Sequence, residues 1–231
     1  AWVGWPRDGA ETLAVLYEWI DGARASKASG GVVSRELGVA TRALHEHGRT
    51  WRPPVVAEIH PTSDVFYGKP DLLSAICDAG VIAEAAARAH AVLARLAKEE
   101  PQPLHSDLHL ENAIWTREGL AIIDFDDMTM GWPLLDPAIS FFYLRRMEGA
   151  EEREACFWEG YGGSVEDLGG TQEELEALVA GRGLLLANEL LTIRTQDLRD
   201  IALGYAEVTE KRLRHYLTVG RFDPNVASLP D

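Results

Sequence analysis

The sequence predicts an α+β fold that is mainly α, and three observations carry that prediction. Apolar residues recur at helical spacing through most of the chain, as in Ile82, Ala85, Ala89, Val92 and Leu96. Two short apolar runs, 113–116 and 120–123, are joined by Arg117-Glu118-Gly119, a hairpin signature. A second hairpin is expected at the front, where a run containing Trp2 and Trp5 meets the turn residues Pro6-Arg7-Asp8-Gly9.

The front hairpin should return as a strand over about 12–19, ended by Gly22. Val33, Leu37, Ala40 and Leu44 then recur with helical period, up to a break at Pro53-Pro54. A long helix over about 78–98 presents the Ile82 to Leu96 stripe on one face, and Pro101 and Pro103 stop it. The hairpin at 113–123 follows. Beyond Pro133 the pattern is helical again, over about 134–147, 151–161, 172–193 and 196–217, with a loose tail after Gly220. There is no internal repeat and no low-complexity segment.

At 231 residues the chain suits one large domain, or one with a small appendage. No apolar run approaches the roughly 20 residues a membrane span needs, so no membrane partner is expected. The net charge of −15, with no clustered Lys or Arg, argues against a nucleic-acid partner. The same acidity would steer a cationic small molecule into a negative cleft. Cys77 and Cys156 lack CxxC spacing, so no disulfide is expected and a reducing cytoplasm is the default location. No targeting segment is visible, and the first residue is Ala1 and not Met, consistent with a missing native start.

The densest chemistry lies in "LHSDLHLENAIWTREGLAIIDFDD", residues 104–127. Asn112 and Asp124 flank the two strands of the hairpin, so their oxygens can converge at one of its ends. Hard oxygen donors of this kind suit Mg²⁺, which completes its shell with substrate phosphates. Asp107 would remain free to orient a hydroxyl nucleophile or to accept its proton. Asp124 ends an apolar strand, where burial would make an unpaired carboxylate costly, so a cation or donors are expected beside it. A rival reading takes His105, Asp107 and His109 as alternating ligands of zinc in a metal-dependent hydrolase. The other histidines, His45, His47, His60, His90 and His215, are scattered and offer no obvious complement.

The run His105-x-Asp107-x-x-x-x-Asn112, followed by Ile123-Asp124-Phe125-Asp126, resembles the catalytic loop and metal-binding segment of protein-kinase-like folds. With His109, the acid pair Asp126-Asp127, Gly131 and Asp136-Pro137-Ala138, it is most similar to the aminoglycoside phosphotransferase and choline kinase family. Type II homoserine kinases and bacterial stress-response kinases look closest. "LYEWIDG" resembles that family's hinge and "CFWEGY" a later helical element. The resemblance implies a protein-kinase-like large, C-terminal lobe over 23–231 and a remnant hairpin of the small lobe over 1–22. It implies ATP and Mg²⁺ as cofactors, with Asp107 as catalytic base and Asn112 and Asp124 as metal ligands. His105 and Asp136 would brace the loop. Backbone groups of Glu18 and Ile20 would hold the adenine edge, with Tyr17 behind it.

The family usually has glycine where this chain has Ser106, and commonly where it has Glu111; a side chain there can strain the loop or crowd the site. The small lobe also normally supplies a glycine-rich loop and a lysine. Here no lysine precedes Lys27 and no such loop precedes Tyr17. The expectation is an ATP-dependent kinase of a small-molecule hydroxyl acceptor, seen as a truncated chain inactive alone and prone to self-associate through Trp2, Val3, Trp5 and Val15. The alternative is a noncatalytic binding module. An aminoglycoside, a choline-like cation, an amino-acid alcohol or a protein hydroxyl would each suit the acceptor role. Glu189, Arg194 and Asp197 are candidate acceptor contacts.

Overall fold

The computed structural model describes residues 2–7, 10–15, 17–27, 30–52, 62–193 and 196–227. The turn at Asp8-Gly9, the break at Pro53-Pro54, His60, and the side chains of Trp2, Val3, Trp5, Val15, Arg194 and Asp197 lie outside the described residues.

Strands β1 (Trp2–Arg7) and β2 (Ala10–Val15) form the front antiparallel hairpin. The second strand ends earlier than expected: Tyr17 to Gly22 is irregular and exposed, because no neighbouring strand pairs its backbone among the described residues. Next comes β3 (Ala23–Arg24), then helices α1 (Gly31–Thr50) and α2 (Ala79–Leu96). After α2, β4 (Gln102–Leu104) leads into the acidic loop, and β5 (Ala113–Thr116) and β6 (Gly119–Ile122) make the expected hairpin. Then follow β7 (Thr129–Gly131), α3 (Leu135–Leu144), α4 (Ala150–Tyr161), α5 (Gln172–Leu190) and α6 (Gln196–Val219).

Two short pairings went unforeseen. β3 joins β5 as an edge strand, and β4 pairs with β7, with Pro103 opposite Met130. Pro103 therefore does more than stop α2: it sits in a strand that is paired on one side, where a missing N–H is tolerated.

The helices form where capping and burial agree. Asp78 caps α2 by accepting from the Gly80 and Val81 amides, and Thr171 with Glu174 closes a capping box on α5. Val33, Leu37, Thr41 and His45 are the buried face of α1, which packs on α4. That contact is backbone on backbone: a Cβ on Gly38 would stand 2.0 Å from the Phe157 carbonyl oxygen, and one on Gly160 would stand 1.9 Å from that of Arg35. Helix α5 is buried on nearly every face between α2, α3 and α6.

The largest fully buried side chain is charged. Arg145, just past α3, spends all five N–H groups: on Glu154, Glu176 and the Phe222 carbonyl oxygen. Glu176 also accepts the Phe222 amide at 2.9 Å, so the stretch after Gly220 is stitched to the helical body and is not loose there. Cys77 and Cys156 are unpaired thiols, and among the described residues no helix is long and apolar enough to cross a membrane.

Candidate functional site

The acidic loop between β4 and β5 is held from beneath by Asp136, which opens α3 and is fully buried. One carboxylate oxygen accepts the Ser106 amide at 2.9 Å, and the other accepts the His105 amide at 3.4 Å. The second oxygen also meets His45 Nε2 at 3.1 Å, and His45 Nδ1 lies 3.0 Å from the Tyr161 hydroxyl. A neutral imidazole satisfies this chain in one way, with Tyr161 donating to Nδ1 and Nε2–H donating to Asp136.

Ser106 sits at φ 63°, the left-handed region that favours glycine. Its hydroxyl lies 2.6 Å from that of Thr129, which accepts from Thr62 at 2.7 Å. Ser106→Ala keeps the backbone strain and strands the Thr129 hydroxyl, at an expected cost of about 1–3 kcal/mol. Ser106→Gly loses the same bond but relieves about 1–2 kcal/mol of strain, so it should be the milder change. Denaturant titration of the pair checks this; an alanine variant as stable as the glycine one would refute it. Glu111, the other departure, is exposed in ordinary backbone and reaches Arg24 at 3.4 Å, so it strains nothing.

Asp107 is the most heavily bonded carboxylate of the loop. One oxygen accepts from Arg182 of α5; the other accepts from Asn112 Nδ2 at 2.8 Å and faces His109 Nε2 at 3.3 Å. Burial pushes its carboxyl up, but His109, Arg182 and Asn112 together hold it below the ordinary value. Arg182 also donates to the Tyr143 hydroxyl at 2.9 Å, and the His109 ring packs against Tyr143 at a tilt, with centroids 4.1 Å apart.

With its amide nitrogen turned to Asp107, Asn112 leaves its side-chain oxygen without a hydrogen bond among the described residues. The Ile123 amide donates to the Asn112 carbonyl at 3.0 Å, which seats Asp124 immediately beyond the same end of the hairpin. Asp124 lies at φ 65° and has no hydrogen-bond or ion-pair partner among the described residues. It is exposed and not buried as its strand-end position suggested, because β6 stops at Ile122 and the chain turns away in a left-handed conformation. Two hard oxygen donors without partners at one end of the hairpin are the donor type that Mg²⁺ takes.

The zinc reading does not survive the geometry. The loop is not a strand that aims His105, Asp107 and His109 one way. His105 donates to the Ile123 carbonyl and accepts the Asp107 amide, so both its nitrogens are used. His109 accepts the Glu111 amide and faces Asp107, and no group of three or more His, Cys, Asp or Glu among the described residues is arranged around a metal.

Around the mouth, the Asp127 carboxyl lies above its ordinary value through desolvation and the nearby charges of Asp107, Glu189 and Asp124. Tyr67, at φ 52°, is pushed up to about 12 by burial, with Asp136, Asp127 and Glu189 near it and Arg182 opposing. Glu189 pairs with Lys69 at 2.5 Å. Tyr17, Glu18 and Ile20 are exposed, Tyr17 at 77%. Arg182, His45, Tyr143 and Tyr67 were not foreseen. The lone arginine in the apolar run "LVAGRGLLLA" was the readable signal, since an unpaired buried guanidinium is rarely tolerated.

None of the curated protein sequences matches the chain. Among solved structures it is similar to the microcompartment-associated aminopropanol kinase, with TM-score 0.72 and 19% identity over 96% of this chain and 74% of that one. It is also similar to an amicoumacin kinase in complex with AMP-PNP, Ca2+ and Ami, with TM-score 0.67 and 18% identity over 90% of this chain and 68% of that one. At such identities the likeness establishes the fold, that of a kinase-like helical lobe. The family model described as phosphotransferase enzyme family, APH, matches residues 2–176, most of the chain. With three quarters of its length inside that match, the chain belongs to the APH phosphotransferase enzyme family.

Proposed function

We propose that the protein transfers the γ-phosphate of ATP to a hydroxyl group of a small molecule that carries an amine. The observation that supports this is the Asp107 carboxylate, bonded to the very amide whose free oxygen, with Asp124, would form the metal-binding edge. The acceptor oxygen and the phosphates would meet across a single side chain, Asn112.

Mg²⁺ on Asn112 and Asp124 would neutralise charge on the transferring phosphoryl group. Asp107, held below the ordinary carboxylate value, stays ionised and accepts a hydrogen bond from the acceptor hydroxyl, orienting it for in-line attack. Asp136 and His105 keep the loop in shape. Backbone groups of Glu18 and Ile20, with Tyr17 behind them, would take the adenine. Asp127 and Glu189 make the mouth acidic, which suits an ammonium-bearing acceptor; the aminopropanol kinase named above supports that choice. We assign residues 1–22 to the end of a small lobe and 23–231 to the catalytic lobe.

ATP consumption by the full-length protein, screened across amino alcohols, aminoglycosides and choline-like cations, tests the reading. Stimulation by an amine-bearing alcohol is the expected result; silence with all of them would favour a noncatalytic module. The 231-residue chain by itself has no lysine before Lys27 to grip the phosphates. That charge-assisted contact is worth about 1.5–3 kcal/mol, so calorimetric titration with MgATP should find binding about 10–100-fold weaker than micromolar. Micromolar binding would show that the chain holds the phosphates without that lysine.

A further inference from the structure

Arg182 is a charged residue in the middle of the most buried helix of the protein, 8% exposed. Its neighbours Gly181 and Gly183 let α5 lie close: Cβ atoms there would stand 3.3 Å from Ala89 Cβ and 3.0 Å from Phe222 Cζ. That depth sets the guanidinium under the acidic loop, where Nη2 meets both Asp107 and Tyr143, and the group sits over the Tyr143 ring at 5.6 Å. Its Nε–H is buried and has no hydrogen-bond partner among the described residues. A small cavity of about 30 Å³, room for a water molecule, opens beside it between Thr62, Asp64, Tyr67 and Leu178.

Counting lone pairs on Asp107 limits what Arg182 can be doing. A carboxylate offers about four acceptor positions. Arg182 takes one on the first oxygen, and Asn112 and His109 take two on the second. The position left for an acceptor hydroxyl is on the oxygen that Arg182 holds. We infer that Arg182 is the positioning residue of the reaction: by holding that oxygen it fixes the direction from which the acceptor hydroxyl must approach Asp107. Tyr143 in turn holds Arg182 in place. The inference rests on the phosphotransfer reading above.

The test uses the full-length protein and MgATP turnover with water standing in for the acceptor. Arg182→Met fills the volume without charge and should lower kcat by about 10–100-fold, the scale of a misplaced reacting group, with the KM for ATP unchanged. In an Asp107→Asn background the same change should cost nothing further, because Arg182 acts only through Asp107. A residue that merely supports the fold would slow both backgrounds alike. If Arg182→Met does not fold, Tyr143→Phe removes the partner that holds the guanidinium and should give a smaller kcat loss with the same lack of additivity. Arg182→Met turnover within about threefold of the parent, or losses that multiply in the double variant, would overturn the inference. Should Asp107→Asn itself keep full rate, the phosphotransfer reading fails first, and the two failures are told apart.

Discussion

Asp107→Asn is expected to lower turnover by about 10²–10⁴-fold, the usual contribution of a positioned acid or base, while the protein remains folded. The change is isosteric, and an amide oxygen can still accept from Arg182 at the first position. At the second, an amide nitrogen would face the Asn112 amide nitrogen, donor against donor. Asn112 must then turn, which takes its oxygen away from the proposed metal-binding edge. On the proposed reading, orientation of the hydroxyl and one metal donor are lost together, and both kcat and the Mg²⁺ dependence should suffer. Steady-state kinetics against Mg²⁺ concentration makes the check; a variant with more than about a tenth of the parent rate would remove Asp107 from the mechanism.

Arg145→Met should be the most destabilising single change in the helical body, costing about 3–5 kcal/mol, because it leaves two buried carboxylates without their cation. Burial opposes the charge on Arg145, yet the bonds to Glu176 and Glu154 outweigh it and keep the guanidinium firmly ionised. Glu154 retains Arg221 at 3.0 Å, and Glu176 retains the Phe222 amide, so the loss is partial and not total. At about 2–4 °C per kcal/mol for a domain of this size, the melting temperature should fall by roughly 10 °C. Arg145→Lys should recover only part of this, since an ammonium cannot fill the fork that five N–H groups fill here. A methionine variant melting within about 2 °C of the parent would mean the two glutamates do not depend on Arg145.

What the sequence revealed divides along the range of the interactions. Helices over 79–96, 150–161 and 172–190 and the hairpin at 113–122 are written in local periodicity, capping and turn residues, and the structure has them within a few positions. The pairings β3 with β5 and β4 with β7 involve two or three residues each, too few for an alternating pattern to register. Within the site, His105, Asp107, Asn112 and Asp124 lie in one short stretch and could be read together. Arg182 stands 75 residues away and His45 is 91 residues from Asp136; only the folded chain brings them in. The burial of Asp124 was misjudged for a related reason: the left-handed turn after Ile122 depends on the loop it faces and not on the strand before it.

The glycine contacts of α1 with α4 bear on how the molecule can move. Gly38 and Gly160 admit no side chain, so the two helices mesh at one register, and a slide of one turn would drive a bulky residue into a carbonyl. Gly22 is likewise pressed against the Trp115 carbonyl oxygen, where a Cβ would stand at 2.5 Å. Gly22 therefore seats the start of β3 flat against β5, and a side chain there would push that edge strand off the hairpin. A bulky substitution on the α1–α4 seam would likewise force the two helices apart and cost the body stability.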